Sequence, residues 1–501
     1  MIASRIQPAA LALHVHGDDD VAMAVSDLPA GAAPGPGLPV LLQAIPAGHK
    51  FALHAIRSGD DIRKYGAAIG HATHDIAAGE HVHSHNLITN LAGELSYARD
   101  ARPAAAGARF PDAEFLGYRR ADGRVGTRNE IWVIATVGCV NKTVERIARL
   151  AGDKIGDLVD GVHAITHPFG CSQLGDDLER TRALLAALAC HPNAGGVVLV
   201  GLGCETNQLQ PLLAAMPGHD PARIRSFASQ TARDEIATGV ETVLELAKRV
   251  SQDRREPCPV ADLMIGMKCG GSDAFSGLTA NPLTGRIADR VDAGGGTCLL
   301  TEIPEMFGAE QVLLNRAGNA AVFDALGAMV NRFKRYFLDH GESVSGNPSP
   351  GNIAGGITTL EEKSLGAVQK AGSTIVRQVL DYGQPAAPRG GLALLEAPGN
   401  DAVSTTALVA AGATIILFTT GRGTPLGAPV PTLKISSNSA LAVHKPNWID
   451  FDAGCVLEGE SYDNAADHLF DLVLETASGK PARNEINQER EIAIWKSGVT
   501  L

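Results

Sequence analysis

Aromatic residues are scarce in this 501-residue chain, at 4%, which argues against a surface that stacks nucleobases. Cysteine is sparse too. The eight cysteines stand at 139, 171, 190, 204, 258, 269, 298 and 455, with no C-x-x-C pair. That usage excludes a disulfide scaffold and indicates a reducing compartment. No basic run offsets a net charge of -12, which disfavours nucleic acid and anionic lipid as partners. The longest uncharged run, residues 402–420, carries Ser404, Thr405, Thr406, Thr414, Thr419 and Thr420. It reads as helix, turn and buried strand, not as a membrane span. The first residues lack a basic cluster, and the apolar stretch Pro8–Leu13 stops at His14. No signal peptide is expected, and the expected location is cytoplasmic.

What is present is glycine, 56 residues, well above the usual share of ~7%. Without low complexity, that excess implies many tight loops where backbone approaches a ligand. The length predicts two to four domains. Residues 1–97 hold short apolar runs broken by Pro/Gly turns at 29–31, 34–37, 46–48 and 77–79, so a small β-rich domain is expected. Residues 98–113 (ARDARPAAAGARFPDA) read as a linker. Beyond them strands and helices alternate, starting with strand 131–137 and helix 142–150. This pattern predicts an α/β fold with mainly parallel sheets. A break at 252–260 (QDRREPCPV) divides it into two lobes, 114–255 and 256–501.

In open parallel sheets ligands collect at the carboxyl ends of strands. Five loops there are unusual: 137–141 (VGCVN), 166–173 (THPFGCSQ), 201–205 (GLGCE), 268–273 (KCGGSD) and 419–425 (TTGRGTP). Together they suggest one composite site. Cys139, Cys171, Cys204 and Cys269 could ligate iron or an iron–sulfur cluster, or could be small thiols buried under turns. Their spacing matches no ferredoxin-like run. Residues 80–86 (EHVHSHN) would place His81, His83 and His85 on one face of a strand. Such imidazoles can share a divalent metal, although a solvated histidine-rich loop is the simpler reading. His16 precedes three aspartates. His167, before a proline, could move protons near neutrality or be a hydrogen-bonded loop histidine. Glu205, Glu302 and Glu305 are further acid/base candidates. Arg422 lies between two glycines, free to clamp a carboxylate. Residues 347–352 (NPSPGN) form a polar turn suited to sugar hydroxyls or to structure alone. Neither 201–206 nor 421–424 completes a dinucleotide or P-loop pattern, so NAD and ATP are not expected.

Several segments together resemble the altronate and galactarate dehydratases, a family that also includes a sulfolactate sulfo-lyase. They are 48–53 (GHKFAL), 64–66 (KYG), 79–86 (GEHVHSHN), 126–130 (GTRNE), 170–177 (GCSQLGDD), 191–195 (HPNAG), 269–273 (CGGSD), 281–282 (NP), 347–352 (NPSPGN) and 420–425 (TGRGTP). Segments 304–310 (PEMFGAE), 448–454 (WIDFDAG) and 496–501 (KSGVTL) resemble its altronate branch. Asp20 and Leu426 depart from the family pattern.

The resemblance implies an SAF-type N-terminal domain and a divalent metal, iron(II) or manganese. It also implies conversion of D-altronate to 2-dehydro-3-deoxy-D-gluconate and water. On that footing His16, His83 and His85 are expected to hold the metal. His167 is base or acid with Glu302 as partner, and Arg422 grips the carboxylate. Arg128, Asn129, Asn347 and Asn352 bind hydroxyls. The partner is a small sugar acid, with a homo-oligomer as one possibility.

Overall fold

The computed structural model describes residues 11–99, 113–216, 219–388 and 390–498. Most of the expected linker, residues 100–112, lies outside them. The chain is mixed α/β. Its N-terminal domain pairs Ala12–Leu13, Val21–Ala24, Lys50–Ala52 and His81–Val82 in one sheet. Asp61–Lys64, Ala67–Ala72 and Leu87–Ile88 form another. Strands this short follow from the Pro/Gly turns that interrupt every apolar run.

The first lobe is a parallel sheet in the order Val162–Ile165, Glu130–Ala135, Ala194–Gly201, Ile224–Ala228. Alternation explains its two covered faces. Ile131, Val133 and Ala135 pack with Val144, Ile147 and Val243 of helices Asn141–Ile155 and Glu235–Val250. Trp132 and Ile134 point the other way, into the main core with Leu184 and Leu188 of helix Asp176–Ala189.

The second lobe is a seven-stranded parallel sheet. Its order is Val376–Leu380, Gly391–Leu395, Thr297–Leu300, Met264–Cys269, Ile415–Thr420, Thr432–Ser436, Phe451–Asp452. The apolar run 402–420 resolves into helix Asp401–Ala410 and strand Ile415–Thr420. Asn400 caps that helix by accepting from the Val403 N–H. The expected break at 252–260 contains a strand. Glu256–Pro259 pairs antiparallel with Glu114–Arg119, tying the start of one lobe to the start of the other. Among the described residues no helix is long and apolar enough to cross a membrane.

The N-terminal domain clasps the second lobe along residues 353–362. Lys50 and Lys64 converge on Glu362 at 2.9 and 2.7 Å. Thr359 donates to the Ile69 carbonyl, and Thr89 and the Asn90 N–H meet Glu361. Gly356 lets the two parts approach, since a Cβ there would stand 2.3 Å from the Gly48 carbonyl oxygen.

A candidate active site at the carboxyl edge of the second-lobe sheet

Strand order reverses beside Met264–Cys269: the chain first builds to one side of it, then returns to its other side with Ile415–Thr420. Crevices form at such switch points. A cavity of about 810 Å³ opens there. Gly270 and Gly271 follow the central strand into it, Pro304 and Glu305 follow the next, and Asn400 and Asp401 lie beyond the third. Asn347, Ser349, Asn352 and Lys363 close it from the side of the N-terminal domain. Phe333, Tyr336, Phe337, Leu426 and Trp495 supply an apolar wall.

Its floor is a buried lattice of charge. Lys363 Nζ lies 2.7 Å from Glu305 Oε1, 3.1 Å from Asn347 Oδ1 and 3.3 Å from Asn352 Oδ1. Lys268 donates to Glu302, to Asp401 Oδ1 at 2.8 Å and to the Cys269 carbonyl. Lys370 Nζ meets Cys269 Sγ at 2.8 Å, and that sulfur lies 3.1 Å from Glu305 Oε2. Glu302 has a left-handed backbone (φ 68°, ψ 58°). This conformation is uncommon outside glycine and aims its carboxylate back at Lys268 and the Cys269 N–H.

Two carboxyls three residues apart are thereby driven in opposite directions. Burial raises Glu302 above the ordinary carboxyl range against the pull of Lys268. Burial also works against ionising Glu305, yet Lys363, Lys370 and Lys268 outweigh it and hold that group at about 2. Divergent carboxyls of this kind mark acid/base sites. Burial pushes the Cys269 thiol up to about 12, so it enters as a neutral neighbour.

Among the described residues at and beside this cavity, two groups offer metal-ligand atoms. Cys269, Glu302 and Glu305 present theirs within 4.8 Å of one another. Three ammonium groups already neutralise that set, so a dication there would have to displace them. The other group is imidazole. His49 Nδ1 and His81 Nε2 lie 3.0 Å apart, with the His83 ring stacked on both and His85 beside His81. Burial first, then the neighbouring imidazoles, lowers His81 to about 3; burial and then Lys50 lower His83 to about 4. These rings are therefore neutral, the form that ligates metals. His49 is the member that sequence reasoning left unassigned. Antiparallel pairing of Phe51 with His81 brings it alongside, a signal present only in the register. The cluster lies against the helix Pro350–Ala354. His83 Nε2 donates to the Ile353 carbonyl at 3.1 Å, and His49 Nε2 faces that of Ala354. The other face of this helix carries Asn352 into the cavity.

The structure thus brings together Asn347, Asn352, Glu302 and Glu305. Arg422 stands next to them: its N–H and that of Gly421 bond the Gly271 carbonyl, and its Nη1 donates to the Gly351 carbonyl. Lys268, Lys363 and Lys370 were missed. A lysine ending an apolar strand (MIGMKC) was the available signal for the first.

Other expected residues fall elsewhere. His16 lies over Gly66, with Nδ1 accepting from the Asp18 N–H, apart from the imidazole cluster. His167 belongs to the first lobe. Its Nε2 donates to the Ala135 carbonyl at 2.9 Å, and its Nδ1 accepts from the Phe169 N–H at 3.1 Å. Neither nitrogen is left for a substrate proton, and it does not meet Glu302. His167→Gln is therefore expected to keep kcat within about threefold while costing ~1–3 kcal/mol of stability. Steady-state rates and thermal melts check both. Arg128 is consumed by Glu485 and by the Thr127, Thr476 and Lys480 carbonyls. It borders a separate cavity of about 730 Å³. Asn129 accepts from Arg120 and donates to the Val250 carbonyl. Arg128 ties the first lobe to the second, Asn129 ties segments within the first lobe, and neither lines the second-lobe cavity. Of the four loop cysteines, Cys269 is buried in the second lobe and the other three are exposed in the first, so the four do not form one site.

Family models match three consecutive stretches. Residues 10–90 match an altronate/galactarate dehydratase SAF domain, and 117–251 match the D-galactarate dehydratase/altronate hydrolase second domain. Residues 260–500 match the D-galactarate/altronate dehydratase C-terminal domain. The chain belongs to the altronate/galactarate dehydratase family. It is 48% identical over 493 residues to an altronate dehydratase of Escherichia coli strain K12, covering 98% of this chain and 99% of that one. It is 46% identical over 495 residues to an altronate dehydratase of Bacillus subtilis strain 168, at the same coverage. To an E. coli galactarate dehydratase (L-threo-forming) it is 35% identical over 494 residues, 94% of each chain. The chain is accordingly an enzyme of the hydro-lyase class, and the small β-rich N-terminal unit is an SAF domain.

Proposed function

We propose that this enzyme converts D-altronate to 2-dehydro-3-deoxy-D-gluconate and water in the second-lobe cavity, acting in the cytoplasm. The observation that carries the reading is the Lys363–Glu305 pair on the floor of that cavity, in a chain so similar to altronate dehydratases throughout its length. The hydrogen at C2 of a 2,3-dihydroxy acid is weakly acidic because its loss places further charge on a carboxylate. Lys363, with the Asn347 and Asn352 amides at its side, faces that carboxylate and stabilises the added charge. Arg422 gives the same end of the substrate a second cation. Glu305 accepts the C2 proton and the C3–O bond breaks. A proton from the Lys268–Asp401 pair leaves with the hydroxyl as water. The enol tautomerises to the 2-keto-3-deoxy acid, so no electron acceptor is consumed. The raised Glu302 keeps a proton near Lys268 to restore it.

His49 Nδ1 and His81 Nε2, 3.0 Å apart on rings that burial disfavours protonating, fit iron(II) or manganese(II), with the His83 and His85 rings alongside. A dication there would be a Lewis acid, and beside the Ile353 and Ala354 carbonyls it would fix the helix that presents Asn352 to the cavity. His83→Ala is expected to lower bound metal and kcat together, since it also frees the Ile353 end of the helix that carries Asn352. Unchanged metal content and rate would remove His83 from this role.

The reaction is tested by offering D-altronate, galactarate and sulfolactate to the purified protein and measuring 2-keto acid and sulfite, with and without chelator. Keto acid is expected fastest from altronate, and chelator is expected to slow it. No keto product from any aldonic or aldaric acid overturns the proposal, and full activity in metal-free protein overturns its metal component.

A further inference from the structure

Three Gly-Cys dipeptides, Gly138-Cys139, Gly170-Cys171 and Gly203-Cys204, follow three adjacent parallel strands of the first lobe. All three thiols are exposed. Their loops are tied to one another. The Gly138 N–H donates to the Phe169 carbonyl at 2.9 Å, and the Asn207 N–H donates to the Gly170 carbonyl at 2.9 Å. Thr206 Oγ1 donates to Cys171 Sγ at 3.8 Å and accepts from the Ser172 N–H at 3.3 Å. Each cysteine is therefore within two residues of a hydrogen bond to a loop bearing another. Gly170 allows this closeness, since a Cβ on it would lie 2.2 Å from the Thr136 carbonyl oxygen. Glu205 is turned inward onto Thr136 Oγ1 and the Leu202 and Gly203 N–H groups. Its carboxylate oxygens are engaged by these donors and, among the described residues, by no cysteine.

We propose that Cys139, Cys171 and Cys204 hold a [4Fe–4S] cluster at the carboxyl edge of the first-lobe sheet. A single zinc with Zn–S bonds of ~2.3 Å draws its thiolates to within ~4 Å of one another. Among the described residues these three sulfurs make no group with ligand atoms all inside 4.8 Å. A cubane cluster interposes iron and sulfide between its thiolates and does not require the sulfurs to approach so closely. Donors to sulfur are already in place: Gln230 Nε2 lies 3.4 Å from Cys204 Sγ, and Ser172 Oγ lies 3.9 Å from Cys171 Sγ. Such bonds tune cluster potentials. Cys269, buried in the other lobe against Lys370, is not the fourth ligand. Three thiolates leave one iron open to an external oxygen donor, a hydroxyl or a carboxylate.

The test reads iron and sulfide rather than turnover, so it is independent of the dehydration reading. The full chain, purified without oxygen and reconstituted with equal amounts of Fe(II) and Fe(III) together with sulfide, is expected to hold roughly four irons and four sulfides. It should also show a broad visible absorbance that dithionite bleaches. Cys139→Ser, Cys171→Ser and Cys204→Ser are each expected to cut retained iron and sulfide at least threefold with unchanged thermal melts, whereas Cys455→Ser leaves both intact. The assignment is overturned if wild type retains no sulfide-linked iron, if it takes one zinc instead, or if the triple serine variant keeps the wild-type iron.

Discussion

Replacing Lys363 by Met is expected to lower kcat/KM by at least ~10³-fold, with most of the loss in kcat. The ammonium contacts Glu305 and both asparagine amides of the 347–352 turn. Removing it takes away the cation facing the charge that builds on the substrate carboxylate, and with it the clamp that fixes Asn347 and Asn352. It also lets the carboxyl of Glu305 rise from about 2 in the direction that burial favours, with Lys370 and Lys268 still opposing the rise. The same change leaves a buried carboxylate without its partner, a loss of ~3–5 kcal/mol when nothing compensates. Stability and catalysis are separated by the double variant Lys363→Met/Glu305→Gln. Its melting temperature should recover while its rate stays low. A single variant with wild-type kcat/KM would remove Lys363 from the site. Recovery of rate together with stability in the double variant would reduce the pair to a structural ion bridge.

The parts of the fold that could be read in the sequence were those where one local signal dominates. Ile131–Val137 and Ile415–Thr419 are apolar on both faces and emerged as the central strands Glu130–Ala135 and Ile415–Thr420. Val376–Leu380 (VRQVL) and Thr432–Ser436 (TLKIS) carry charge and were not read as strands, because their membership depends on neighbours supplied by the rest of the sheet. The site divides in the same way. The 347–352 turn and Glu302 and Glu305 could be named because rigid polar turns and strand-end carboxylates suggest chemistry by themselves. Lys363 could not. In a helix beginning Leu-Glu-Glu-Lys it looks like part of a solvated face, and only its approach to Glu305 and the 347–352 turn, distant in sequence, places it in the site. His167 misled for the converse reason. A strand-end histidine has the right chemistry, but the main chain of Ala135 and Phe169 takes both of its nitrogens, and sequence carries no trace of those bonds.

The docking itself rests on one carboxylate, and Glu362→Gln is expected to cost ~3–5 kcal/mol. Glu362 Oε1 receives Lys64, while Oε2 receives Lys50, the Thr358 N–H and the Thr358 hydroxyl. An amide keeps one acceptor oxygen and confronts the second lysine with a donor, leaving two buried ammonium groups with no counter-charge. Burial works against ionising this glutamate, but Lys50 and Lys64 outweigh it and hold the carboxyl well below its ordinary range. The sign of the pH dependence follows. Below the unfolded-state value of ~4.3 the unfolded chain binds a proton that the folded chain still refuses. Stability from this group is therefore complete above pH ~4.3 and declines as the pH falls from there towards the folded value. Wild type and Glu362→Gln should differ most near neutrality and converge in acid. In the variant, hydrogen exchange should quicken first in residues 11–90 and in 353–362, where Lys50, Thr359 and His83 bridge the two parts. Because that segment includes the helix presenting Asn352 to the cavity, KM should rise before the second lobe loses its own protection. Uniform exchange across the chain, or a melting curve matching wild type at pH 7, would show that the SAF domain is held by its apolar contacts and not by this buried triad.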